Sequence, residues 1–144
     1  MANFEFSEWI DAPPDKVFDV LIDLPNSSSY LENVKQSVKL TEGPVGVGTI
    51  FEETRVVNGQ EATAQLEVRE YDPPRRLTMG NETEGIDTSY IYTLEAEKGG
   101  TRILWEAELS ASGLKKMMVP MVASILKKED REHLQMLKAA VEGS

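Results

Sequence analysis

The chain contains no cysteine and a single histidine. The first absence removes disulfides, thiolate nucleophiles and cysteine metal sites together, and it leaves a redox environment compatible with cytoplasm. With His133 alone, a three-histidine zinc site is impossible, and any Ser-His-Asp arrangement would have to use that residue. Glu129 and His133 stand four apart on one helical face, but two ligands make an incomplete site, so no metal is expected. Bases are scarce as well. Fifteen of them against 25 acids give a formal charge of -10, which disfavours a nucleic-acid backbone or an anionic membrane as the main partner. No segment approaches the ~20 apolar residues of a membrane span. The opening "MANFEFSEWIDAPP" lacks a basic region followed by an apolar run, so a cytoplasmic protein without a span is expected. The glycine-rich "GPVGVG" lacks the lysine and spacing of a phosphate loop and reads as a turn. No cofactor is implied. Neither repeat nor linker is visible, and residues 1–144 are expected to form one domain.

Periodicity supplies the elements. Phe4, Phe6 and Ile10 alternate with polar neighbours as a first strand, and "DAPPDKVFDVLIDLP" then changes to helical spacing through Val17, Phe18, Leu21 and Ile22. A second short helix is expected around Tyr30 and Leu31, capped by Asn26 or a serine. Six further strands follow: Val34 to Leu40, Thr49 to Val57, Glu61 to Tyr71, Leu77 to Asn81, Thr88 to Ala96 and Thr101 to Ser110. Asn58-Gly59 marks a tight hairpin, and "DPPRR" a turn whose prolines cannot donate to a ladder. From Gly113 onward the pattern is one long helix carrying two apolar stripes, Leu114/Met118/Met121/Ile125 and Leu126/His133/Leu137/Val141. Pro120 either bends this helix or sits in its first turn, with Leu114 to Val119 a separate turn. The expected fold is α+β: a curved seven-stranded antiparallel sheet in the order one, seven, six, five, four, three, two, gripping the long helix, with two short helices between strands one and two.

"IDAPPDKVFDVLID", "GVGTIFEE", "EYDPPRRL", "GGTRILWEAEL" and "LKAAVE" together resemble the START-related, polyketide cyclase/dehydrase-like (SRPBCC) superfamily over nearly the whole chain. The resemblance implies the helix-grip fold and a cavity between helix and sheet. The superfamily spans lipid carriers, cyclases, hormone receptors and co-chaperone-like domains, so it implies several functions.

The residues themselves favour an apolar wall with a few polar points. Trp105 shares a strand face with Ile103, Ala107 and Leu109; Tyr90 and Tyr92 share the matching face of the strand before, and Ala62, Ala64 and Leu66 another. Met118, Met121 and Ile125 oppose them from the helix, methionines being suited to variable apolar shapes. Glu53 shares the face of Phe51, where a carboxyl would have a raised pKa and could serve as a ligand hook or acid. Plain core packing is the alternative for each of these positions. The expected ligand site is therefore Phe51, Glu53, Leu66, Tyr90, Tyr92, Trp105, Met118, Met121 and Ile125, binding a small hydrophobic or amphipathic organic molecule. A cyclase- or dehydratase-like enzyme is the first rival, favoured by any charged pair deep in the site such as Glu53 with Arg55 or Arg69; an interaction domain with a filled core and an exposed apolar patch is the second.

Overall fold

Alternating residues of seven strands bury one face of a single antiparallel sheet whose order is β1-β7-β6-β5-β4-β3-β2. The computed structural model describes residues 2–57 and 59–143. β1 (Phe4–Ile10) leads into α1 (Pro14–Ile22) and a 3-10 turn (Leu24–Ser29); β2 (Val34–Lys39), β3 (Ile50–Val57), β4 (Gln60–Asp72), β5 (Arg76–Thr83), β6 (Ile86–Glu97) and β7 (Gly100–Ser110) follow. Every neighbouring pair is antiparallel, as hairpin-length links require.

The turns follow local chemistry. Glu84-Gly85 and Lys98-Gly99 both adopt positive φ, the conformation of a two-residue hairpin that matches strand twist. The expected Asn58-Gly59 turn involves Asn58, which lies outside the described residues. At "DPPRR" the Pro73–Pro74 peptide is cis, Arg75 pairs with Asp72 at 3.0 Å and Arg76 with Glu70 at 2.7 Å. The second short helix lies earlier than its expected place around Tyr30: Pro25 opens the 3-10 turn because a first-turn residue needs no N–H donor.

The C-terminal helical segment is built in three pieces. A 3-10 turn (Gly113–Met118) precedes α2 (Val119–Asp130), with Pro120 in the first turn of that helix, and α3 (His133–Glu142) follows a break at Arg131 and Glu132. α3 buries Leu134, Leu137 and Val141 in the main core with Ile10, Val17, Leu94 and Ile103. It is tied down at its end, where the Asp11 N–H donates to Glu142 at 2.8 Å and Lys138 Nζ donates to the Trp9 carbonyl at 2.6 Å. α2 instead joins a smaller cluster through Val119 and Ala123, against Phe4, Ile86, Ala107 and Leu109. No helix among the described residues is long and apolar enough to cross a membrane.

Candidate functional site

Strand register brings aromatic side chains into one row. Phe6 and Tyr92 flank Trp105 on the neighbouring strands β1 and β6, with ring centroids 5.8 and 5.6 Å from the indole, the Tyr92 ring within 8° of parallel. Tyr90 lies 5.9 Å away. Trp105, Tyr90 and Tyr92 of this row line a cavity of about 190 Å³ beneath the α2–α3 junction. The opposite wall is Leu66, Ala64 and Ala62 of β4 with Glu53 and Arg55 of β3; Leu24, Ser27, Tyr30 and Leu31 close one end, and Leu126, Asp130 and His133 form the roof. Small alanines leave the space that larger residues would fill.

The roof carries the polar chemistry. Asp130 is 2% exposed and receives Arg55 Nη2 at 2.5 Å, while Glu53 Oε1 stands 3.4 Å from Arg55 Nε. Burial raises the pKa of both carboxyls, with Arg55 opposing. Burial also works against the guanidinium's charge, but Asp130 and Glu53 outweigh it and hold Arg55 more firmly protonated. Two carboxyls, each pushed toward its neutral form by burial and back toward the anion by Arg55, thus share one guanidinium.

His133 packs on Trp105 with centroids 4.4 Å apart and shares a 3.1 Å hydrogen bond with the Tyr92 hydroxyl. Desolvation, helped by the nearby charge of Arg55, lowers its pKa to about 3, so the ring is neutral near neutral pH. Burial raises the phenols of Tyr30, Tyr90 and Tyr92, which remain protonated.

Four polar atoms around the cavity are buried without a hydrogen-bond partner among the described residues: Ser27 Oγ, Arg55 Nε, Trp105 Nε1 and Asp130 Oδ2. Leaving such groups unpaired costs about 1–3 kcal/mol each unless a ligand or water completes them. Two are obligate donors, and Asp130 Oδ2 accepts when ionised.

Of the residues expected at the site, Glu53, Leu66, Tyr90, Tyr92 and Trp105 line the cavity together. Phe51 is fully buried and paired with Leu66 across β3 and β4, in the core beside the cavity rather than on its wall. Met118, Met121 and Ile125 do not line it; Met118 is 38% and Met121 56% exposed. From the helical segment, His133 packs its ring on Trp105. Sequence reasoning misses Asp130 within the charged stretch "EDREH", although it lies four residues after Leu126 and seven before Leu137, on the stripe that faces inward. No group of three or more His, Asp or Glu that could hold a metal ion occurs among the described residues.

A family model described as polyketide cyclase / dehydrase and lipid transport matches residues 1–142. No curated protein sequence matches the chain. Among solved structures, a protein of Thermus thermophilus aligns with TM-score 0.78 at 18% identity, over 96% of each chain. An aromatase/cyclase from Streptomyces sp. R1128 aligns with TM-score 0.75 at 17% identity, over 96% of this chain and 92% of that one. A START superfamily protein from Mycobacterium smegmatis aligns with TM-score 0.74 at 12% identity, over 97% of both. At these identities the likeness concerns the fold.

Proposed function

Because the chain belongs to the polyketide cyclase / dehydrase and lipid transport family, we propose that it binds a small amphipathic organic molecule in the cavity under the α2–α3 junction. The observation that carries this reading is the set of four buried polar atoms, on residues lining a mixed apolar and polar cavity, that make no hydrogen bond among the described residues. An apolar body would rest on Trp105, Tyr92 and Leu66, while its oxygens accept from Trp105 Nε1 and Arg55 Nε. The size of about 190 Å³ suits a one- or two-ring molecule or a short acyl chain, below the ~300–1,000 Å³ of drug-sized sites. Phe51 supports the wall from behind, and Met118, Met121 and Ile125 are not needed as contacts.

The interaction-domain alternative required a filled core, and the cavity counts against it. The enzyme alternative gains from the Glu53–Arg55–Asp130 cluster, the deep charged group that such chemistry uses. A protonated Glu53 could give a proton to a carbonyl or departing hydroxyl held by Arg55, and the neutral Tyr92–His133 pair could relay one. Mass spectrometry of the folded protein under non-denaturing conditions tests binding: a co-purifying organic molecule lost in Trp105→Leu is expected, and an empty protein that takes up no naphthol or short-chain acyl probe would overturn it. If turnover is found, Glu53→Gln separates the two readings, because catalysis would fail while binding survives.

A further inference from the structure

Away from the cavity, the 3-10 turn Gly113–Met118 and the first turn of α2 form a shoulder in which Val119 alone is buried. Leu114, Met117, Met118 and Met121 follow the i, i+3, i+4, i+7 spacing of one helix face, yet they are 85, 79, 38 and 56% exposed. No residue of the 3-10 turn is buried. An apolar face that turns to solvent in this way marks a surface meant for something else.

The charge around it is the reverse of the rest of the chain. Residues 109–128 contain no acid at all, whereas no other acid-free run exceeds nine residues. The same segment holds Lys115, Lys116, Lys127 and Lys128, leaving eleven bases against 25 acids elsewhere. None of these four lysines has an ion-pair partner among the described residues. Protruding leucine and methionine side chains interleaved with Lys115 and Lys116, with Lys127 and Lys128 farther along in the last turn of α2, match an anionic lipid surface, with the lysines at the phosphates and the apolar chains at the acyl boundary. The global charge of -10 does not oppose this, because acids farther than about 8 Å are screened at physiological salt. The Lys115 stem passes over Gly85 in the β5–β6 turn, beside the acid Glu84.

We propose that the shoulder Leu114–Met121, with its Lys115 and Lys116 and with Lys127 and Lys128 in the last turn of α2, docks this protein on an anionic lipid bilayer surface. The inference is independent of the cavity's contents. Leu126 lines the cavity from the same helix, so docking there would bring a wall of the cavity toward the membrane.

Flotation with phosphatidylcholine vesicles, with and without phosphatidylglycerol, tests it on the full chain. Binding is expected with the anionic lipid alone, falling roughly fivefold for each lysine changed to glutamine and lost in the double variant Leu114→Ser, Met117→Ser. Those side chains are exposed, so the variants should keep the parent's thermal midpoint, which separates loss of docking from loss of fold. Absence of vesicle binding, equal binding to neutral vesicles, or unchanged binding by the double variant would overturn the proposal. A concentration-dependent dimer abolished by the same variants, without vesicle binding, would assign the shoulder to a second copy instead.

Discussion

α2 and α3 lie in succession on the same sheet, yet they bury opposite chemistry. α3 places Leu134, Leu137 and Val141 into the largest cluster of the core and is fastened to the β1–α1 link by Glu142 and Lys138. α2 and the junction place Leu126, Asp130 and His133 over empty space, held across it by the Arg55–Asp130 pair and a longer 3.4 Å bond from Asn33 to the Glu129 carbonyl. Stability is thus concentrated where the chain fills its interior, and polar chemistry is concentrated where it does not. A domain of this size can spend part of its interior on a cavity because the other end is packed to native density.

The comparison breaks most severely at the buried ion pair. Asp130→Ala leaves Arg55 charged and enclosed, with only Glu53 at 3.4 Å to answer it, and should lower unfolding free energy in urea by about 3–5 kcal/mol. A loss below 1 kcal/mol would mean that water reaches the pair freely. Next in size is the contrast between the two helices. Leu137→Ala, at a fully buried position, should cost about 2–5 kcal/mol, whereas Leu126→Ala, whose side chain already borders space, should cost distinctly less. Equal losses would show that the roof is packed like the core.

Acid sharpens the same contrast. The pKa of His133 is depressed to about 3, so the unfolded chain binds a proton below about 6.5 that the folded one refuses, and stability falls as pH drops through that window. Glu53 and Asp130 act in the opposite sense, since their raised pKa values make folding more favourable as pH falls toward the ordinary carboxylate range. Comparing the parent with His133→Gln isolates the histidine: between about pH 7 and pH 5 the parent should lose up to about 2 kcal/mol more than the variant. Parallel pH profiles would place His133 in contact with water. The smallest effect on stability is expected at Ala64→Leu, which adds atoms where none sit. It should cost under about 1.5 kcal/mol while abolishing uptake of a naphthol probe by calorimetry.

Much of this contrast was legible before the structure. Period-two alternation located each strand within a few residues, and hairpin-length links dictated the antiparallel order, because both signals are local. Glu53 could be found because a carboxyl interrupts the apolar face of Phe51. The roof was harder. Leu114, Met118 and Met121 line up at 3.6 residues per turn, but their segment begins as a 3-10 turn of three residues per turn, so the stripe rotates toward solvent. Asp130 looked like part of a solvated run because a charged side chain on an inward stripe is buried only when its partner arrives from elsewhere, here Arg55, 75 residues away in sequence. Pairing at that range leaves no mark on local periodicity.

The unpaired indole N–H gives the most direct access to the central claim that the cavity holds an oxygen-bearing ligand. The chain has two tryptophans, and Trp9 Nε1 already donates to the Glu97 carbonyl at 2.8 Å while Trp105 Nε1 has no hydrogen-bond partner among the described residues. In an NMR titration of the nitrogen-labelled protein with a naphthol, the Trp105 indole N–H resonance should move downfield and saturate while that of Trp9 stays in place. A stationary Trp105 resonance, or both signals drifting together without saturation, would contradict the account.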